Sequence, residues 1–222
     1  MISPQSVGAI FDMDGVLVDS ADAHFKSWRE LGLELGVEIT RAQFAETFGR
    51  QNRDIIPLRF GVYDDRRIRE LAAKKEELYR GLVRERPPIV PGAVELVTAL
   101  AQRGVRLAVG SSGPQENIDL ILAAMGVAGA IEVVVSADQV QRGKPDPQVF
   151  ALACEGLGLA PHRCVVVEDA PAGVEAAKRA GCRCIAVMVH HSREALARAD
   201  LVVLRLNDLK AEDVLRLGAA AG

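Results

Sequence analysis

Two aspartates one residue apart, Asp12 and Asp14, close the apolar run Val7-Gly8-Ala9-Ile10-Phe11. Neighbouring carboxylates repel and lose hydration as they approach, so the pairing points to a cation or a shared proton that offsets the cost. If the extended backbone continues past Phe11, its period of two sets Asp12 and Asp14 on one face and Met13 on the other. Gly15 then permits a tight turn. An acidic turn ending an ordinary strand is the alternative at this point.

Three further segments carry residues that complement such a pair. Gly110-Ser111-Ser112-Gly113-Pro114 is a small-residue turn ahead of a helical stretch, whose free N–H groups and positive dipole end suit a phosphate. A serine hydroxyl there can donate to a phosphoryl oxygen, and Ser112 is a substrate-binding candidate beside Ser111. The turn lacks the lysine of a Walker loop, and simple helix capping would use the same residues. In Gly143-Lys144-Pro145-Asp146-Pro147, Pro145 favours an extended Lys144, with Asp146 as cap and Pro147 as first residue of the next helix. That lysine can set its ammonium against a phosphate or a nucleophilic carboxylate. Glu168-Asp169 places two more carboxylates at a strand end. With Asp12 and Asp14 they make a set of hard oxygen ligands suited to Mg²⁺, with N-capping by Asp169 as the alternative.

The elements that must position these residues alternate strand and helix. Val7–Phe11, Val105–Val109, Ile131–Val135, Cys164–Val167 and Arg183–Val187 are short and β-branched, and Leu201–Leu204 is a sixth candidate. Near-continuous apolar runs indicate strands covered on both faces, the habit of parallel sheets with helical crossovers. Helices are expected over Ala93–Gln102, Gln115–Met125, Gln148–Glu155 and Ala172–Ala180, with Pro at or before their first turns and Gly just past their ends. A last helix follows Ala211. The pattern predicts an α/β fold, a doubly wound parallel sheet whose ligands gather beyond the carboxyl ends of the strands.

Residues 20–86 break the alternation. They contain only helical stretches: Ala21–Leu35 with Phe25, Trp28, Leu31 and Leu35 on one stripe, then Arg41–Phe48, Arg53–Phe60 and Asp64–Glu85. Residues 1–19 and 87–222 would then form the α/β catalytic core, with 20–86 as a helical cap inserted after the first strand. Arg86-Pro87-Pro88 is a stiff exit, and such a module can act as a lid that excludes water on closing, or be a static decoration.

Composition narrows the partners. The 222 residues, 49% hydrophobic, carry 27 basic and 30 acidic side chains for a net charge of −3, with no long basic block. This disfavours nucleic acid and anionic membranes and favours a small-molecule ligand. The start, Met1-Ile2-Ser3-Pro4-Gln5-Ser6, lacks a basic region followed by an apolar stretch, and no apolar run is long enough to span a bilayer, so a soluble cytoplasmic protein is expected, as a monomer or homodimer. Cys154, Cys164, Cys182 and Cys184 lack metal-site spacing and are expected as buried reduced thiols.

The segment Asp12-Met13-Asp14-Gly15-Val16-Leu17-Val18-Asp19, Ser111, Lys144 within Gly-Lys-Pro-Asp-Pro, and Val165-Val166-Val167-Glu168-Asp169-Ala170-Pro171-Ala172-Gly173 resemble, in order, the four motifs of the haloacid dehalogenase-like superfamily. The helical insertion is similar to the cap of the subgroup containing β-phosphoglucomutase and sugar-phosphate phosphatases. The resemblance implies a parallel sheet with the first strand central, bound Mg²⁺ and a covalent aspartyl-phosphate. It assigns Asp12 as nucleophile and metal ligand, and Asp14 as general acid/base with its backbone carbonyl on the metal. Ser111 and Lys144 would hold the phosphoryl group, Asp169 would be the third protein ligand, and Glu168 would reach the metal directly or through water. Dehalogenases resembling the founding members lack the second aspartate and ion-pumping ATPases carry threonine there, so Asp14 favours phosphate-ester chemistry.

In the cap, His24-Phe25-Lys26-Ser27-Trp28 and Lys75, four residues before Tyr79, resemble stretches of β-phosphoglucomutases, where the histidine assists the acid/base step. Trp28 as packing and His24 as rim are the alternatives. Asn52 and Arg53, within Gly49-Arg50-Gln51-Asn52-Arg53, are candidates to recognise a sugar or a second phosphate, or to be merely solvated. One departure stands out: where the mutases carry a second serine and a lysine after the motif serine, this chain has Gly113 and Pro114, which donate no side-chain hydrogen bond. His190 and His191 read as a polar loop. The expected function is a Mg²⁺-dependent phosphatase of a small phosphorylated metabolite, a sugar or polyol phosphate. The alternatives are a β-phosphoglucomutase and a non-catalytic phosphoryl-binding domain.

Overall fold

The computed structural model describes residues 6–220, so the reading of Met1–Gln5 lies outside the described residues. Six strands form one parallel sheet: β1 (Gly8–Phe11), β2 (Arg106–Gly110), β3 (Val133–Val135), β4 (Cys164–Glu168), β5 (Arg183–Val187) and β6 (Leu201–Val203), in the order β3-β2-β1-β4-β5-β6. The strand carrying the aspartates is therefore central, with Ile10 opposite Ala108 on one side and Val166 on the other. The strand order reverses around β1, which is where an open α/β sheet leaves a crevice for ligands.

Alternation along the strands divides the core into two layers. Ala9, Phe11, Leu107, Val109, Val165, Val167 and Ile185 face one layer, filled by α5 (Ala93–Gln102), α6 (Gln115–Met125) and α9 (Ala211–Ala219). Ile10, Ala108, Val166, Cys184 and Ala186 face the other, filled by α7 (Gln148–Gly156) and α8 (Pro171–Arg179). Period-two strands covered on both faces produce this division. All four cysteines are buried and unbridged, as their spacing predicts.

Between β1 and α5 the chain forms α1 (Ala21–Glu34), α2 (Arg41–Ala45), α3 (Asn52–Phe60) and α4 (Asp65–Val83), with no strand. These helices enclose a separate apolar cluster of Phe25, Trp28, Leu31, Ile39, Phe44, Ile55, Ile56 and Leu71. Among the described residues no helix is long and apolar enough to cross a membrane.

Several boundaries differ from those expected. The stretch Arg41–Phe48 is helical only to Ala45, because the Thr47 hydroxyl donates to the Phe44 carbonyl and Gly49 turns the chain at φ +85°. Ile131 follows a short 3₁₀ turn over Ala128–Ala130, so β3 begins at Val133. Pro147 is the N-cap of α7, not its first residue, and Asp146 Oδ1 instead accepts from the Gln148 N–H at 3.0 Å. Asp169 caps nothing: Ala170 is the N-cap of α8 and Pro171 its first residue, which leaves the Asp169 carboxylate free for other work.

Candidate active site

Asp12 leaves the end of β1 with its N–H donated to the Val167 carbonyl at 2.9 Å, so sheet pairing itself holds the residue in place. The Lys144 ammonium reaches the same point from the loop after β3, 2.7 Å from Asp12 Oδ1 and 2.7 Å from Glu168 Oε1. The peptide joining Lys144 to Pro145 is cis. Glu168 Oε2 accepts the N–H groups of Asp169 and Ala170, both at 2.8 Å. Asp12, Glu168 and Asp169 each offer a carboxylate oxygen, and the three oxygens lie within 4.8 Å of one another.

Two glycines clear this space. Gly15 has φ +84°, and a Cβ there would run into the Asp169 carboxylate; a Cβ on Gly173 would run into that of Glu168. Only a residue without a side chain fits either position.

The electrostatics show what the cluster lacks. Burial, opposed by the Lys144 ammonium and reinforced by the Glu168 and Asp14 carboxylates, pushes Asp12 up to about 7. Asp169 is pushed well above the usual carboxylate range by burial and then by Glu168 and Asp12. Burial acts to lower Lys144, but Asp12 and Glu168 hold it above its ordinary value. One ammonium thus faces three buried carboxylates. Hard oxygen donors with uncompensated negative charge are the donor set of a hard divalent cation.

Asp14 turns the other way. Its Oδ1 accepts from Ser20 Oγ at 2.5 Å and lies 3.2 Å from His24 Nε2 on α1. Burial alone would raise Asp14, but the electrostatic pull and hydrogen bond of His24, the Ser20 bond and Lys75 bring it below its ordinary value. His24 Nδ1 in turn is 2.7 Å from the Lys75 ammonium, and the imidazole stacks on Tyr79 at 4.0 Å and 5°. Lys75 also contacts Glu76 Oε1 at 2.8 Å and lies 5.2 Å from the centre of the Trp28 ring.

A cavity of about 530 Å³ opens above Asp12 and Lys144, lined also by Ser112, Phe48, Arg50 and His191. Ser111 is buried outside that lining and accepts the Gly113 N–H at 3.0 Å. Asn52 donates to Glu76 Oε1 at 2.7 Å. Arg53 instead bonds the backbone carbonyls of Val140 and Gln141, which ties the helical segment to the core.

A family model described as haloacid dehalogenase-like hydrolase matches residues 8–181, spanning β1 through α8 and every residue of the carboxylate cluster. The chain belongs to that family of hydrolases. It is 34% identical over 204 residues to the validoxylamine A 7'-phosphate phosphatase of Streptomyces hygroscopicus subsp. limoneus, covering 91% of this chain and 95% of that one. It is 33% identical to hexitol phosphatase A of Escherichia coli K12, covering 91% and 92%. Among solved structures, the β-phosphoglucomutase of Clostridium difficile superposes with a TM-score of 0.87 at 25% identity, covering 98% of this chain and 97% of that one.

In this hydrolase three residues complete the site that motif reading passed over: Ser20, Glu76 and Asn117. Ser20 sits six residues from Asp14 and its hydroxyl is an ordinary helix-cap type, so nothing local marks it. Glu76 lies in the highly charged α4, yet is buried with a partner on each side. A polar residue at a position of α4 that faces the apolar stripe was the available signal.

Proposed function

We propose that this hydrolase is a Mg²⁺-dependent phosphatase of small phosphorylated metabolites, sugar or polyol phosphates, working through a phosphoryl group carried on Asp12. The observation that carries the reading is the divergence of the two aspartates: Asp12 is bound to Lys144 of the core, Asp14 to Ser20 and His24. One carboxylate is thereby set for nucleophilic attack and the other for proton transfer. Asp12, Glu168 and Asp169, with the backbone carbonyl of Asp14, would hold Mg²⁺, which supplies charge neutralisation between the nucleophile and an anionic phosphate.

In the first step Asp14, which takes up a proton as the anionic ester binds beside it, gives that proton to the leaving alkoxide while an Asp12 oxygen forms a bond to phosphorus and the ester P–O bond breaks. In the second, Asp14 takes a proton from water, whose oxygen attacks phosphorus; inorganic phosphate leaves and the Asp12 carboxylate is restored. Lys144 and Ser111 hold the phosphoryl oxygens, with Ser112 beside them. Residues 1–19 and 87–222 act as the catalytic core and 20–86 as a cap, in which His24 orients Asp14 and Lys75 orients His24. Relatives named as a validoxylamine A 7'-phosphate phosphatase and a hexitol phosphatase support the substrate class.

The test is phosphate release from a panel of phosphorylated metabolites with Mg²⁺. Asp12→Asn is expected to abolish it while the melting curve keeps its shape, and an asparagine variant retaining most activity would overturn the mechanism. The similarity to a β-phosphoglucomutase favours a second reading, in which phosphate returns to the substrate. Incubation with β-glucose 1-phosphate and a trace of bisphosphate separates them, since a mutase yields glucose 6-phosphate and a phosphatase yields free phosphate.

A further inference from the structure

Beside Asp14 lies a small space of about 40 Å³ lined by His24, Arg50, Asn52, Lys75 and Glu76 of the helical segment and by Ser112 and Gly113 of the core. Whatever the phosphoryl group is attached to must meet this wall. Its one ammonium, Lys75, is 2% exposed and already has a carboxylate counter-ion, Glu76 Oε1, at 2.8 Å. Glu76 is itself held rigidly: Asn52 donates to Oε1 at 2.7 Å and Asn117, from α6 of the core, donates to Oε2 at 2.6 Å. Arg80 and Arg53 nearby are equally committed, while Arg50, the other basic residue of this lining, is exposed. Arg80 bonds Asn117 Oδ1 at 3.1 Å and Glu116 at 2.9 Å, and Arg53 bonds the Val140 and Gln141 carbonyls. On the core side Gly113 and Pro114 have no side-chain donors.

The larger cavity has the same bias. Asp54 and Glu46, the latter ion-paired with Arg59 at 2.7 Å, add carboxylates to those of Asp12, Asp14, Glu168 and Asp169, against Arg50 and Lys144. Lys144 is shared between Asp12 and Glu168, and Arg50 is exposed at the mouth. One divalent cation does not reverse that balance near the wall. A second phosphate directed at Lys75 would therefore meet a buried ammonium whose charge Glu76 already balances, among carboxylates that repel it. Hydroxyl groups meet no such penalty.

We infer that Glu76, by neutralising Lys75 from inside the wall, makes this site select monophosphate esters of otherwise uncharged polyols over bisphosphates. The inference rests on the phosphatase reading above and sharpens it, because a mutase has to retain a sugar bisphosphate between its two phosphoryl transfers.

The experiment compares fructose 1-phosphate with fructose 1,6-bisphosphate, and glucose 6-phosphate with glucose 1,6-bisphosphate, as substrates of the full-length protein with Mg²⁺. The Kd of each is also measured calorimetrically on Asp12→Asn. The monophosphates are expected to be favoured roughly tenfold or more in both kcat/KM and Kd. In Glu76→Gln, which keeps the size and one acceptor oxygen, Lys75 becomes free to receive an anion, and the ratio of bisphosphate to monophosphate KM should fall roughly tenfold. Should that variant melt below the assay temperature, Glu76→Met leaves Lys75 equally unneutralised and takes its place. Equal use of monophosphate and bisphosphate by the unaltered protein overturns the inference and leaves the phosphatase reading standing. An unchanged ratio in a folded Glu76 variant overturns the role of Glu76. Absence of Mg²⁺-dependent phosphate release from every ester, p-nitrophenyl phosphate included, overturns the phosphatase reading and the inference with it.

Discussion

The Lys75 ammonium lies 2.7 Å from His24 Nδ1, and this contact decides which imidazole nitrogen carries a proton. An ammonium has only donors, so Nδ1 accepts and Nε2–H is left to face Asp14 Oδ1 at 3.2 Å. Lys75→Met removes that constraint. We expect kcat on a sugar phosphate to fall by roughly 10–10²-fold, with a smaller loss on p-nitrophenyl phosphate, whose leaving group departs without a proton. Equal losses on both esters would show that Lys75 does not act through the proton carrier.

A divalent cation should stabilise the folded protein as well as activate it. Asp12, Glu168 and Asp169 are buried together with Lys144 as their ammonium, so neutralising the excess charge favours the native state. Thermal unfolding after chelation is expected to occur several degrees lower than with millimolar Mg²⁺, and Glu168→Gln or Asp169→Asn should shrink the gap. Identical melting curves with and without Mg²⁺ would argue against the cluster as a metal site.

Gly15→Ala tests the turn that follows Asp12, the proposed nucleophile. The backbone there is left-handed at φ +84° and the new methyl would collide with the Asp169 carboxylate. A loss of roughly 1–3 kcal/mol in urea unfolding is expected from the strain, together with loss of Mg²⁺-dependent activity as Asp169 is displaced. Gly36→Ala is the control: its φ is +71° but a Cβ there meets nothing within 4 Å, so activity should survive.

Acid should loosen the contact between the helical segment and the core through Glu76. Burial alone would raise this carboxyl, but Lys75 and His24, with the bonds from Lys75 and Asn52, bring it down from 4.5 to about 2. A group whose folded pKa is depressed contributes stability that is complete above its unfolded value and is lost as pH falls toward the folded one. The contribution is thus present above about pH 4.5 and disappears between there and about pH 2. Unfolding free energies followed over that window should be less steep for Glu76→Gln than for the unaltered protein, and matching slopes would show that Glu76 does not supply the dependence.

The order of elements was largely legible in the chain. The apolar run at Gly8–Phe11, the β-branched run at Cys164–Glu168 and the Pro and Gly punctuation around Gln115–Met125 are local signals, and they marked those elements to within a residue or two. Where local signals competed, boundaries moved: the Thr47 hydroxyl and Gly49 ended α2 early, and Pro147 served as cap instead of first residue. Asp12, Lys144, Glu168 and Asp169 were recognisable because each sits next to a strand end or turn that announces itself. Ser20, Glu76 and Asn117 were not, because a serine at a cap, a glutamate in a charged helix and an asparagine in a helix are ordinary in isolation.

Sequence alone therefore determined the parallel α/β architecture, the place of the helical insertion and the presence of paired carboxylates at strand ends, all of which follow from short-range periodicity and turn chemistry. The tertiary structure decided which charges meet. Lys144 and Asp12 are 132 residues apart and Glu76 and Asn117 are 41 apart, yet each pair is in hydrogen-bond contact. Whether a carboxylate is a nucleophile beside a cation, a hydrogen-bonded proton carrier or a counter-ion that silences a lysine depends on the partner that folding places against it. Coulomb and desolvation energies act through space over a few ångströms, and no spacing along the chain records them.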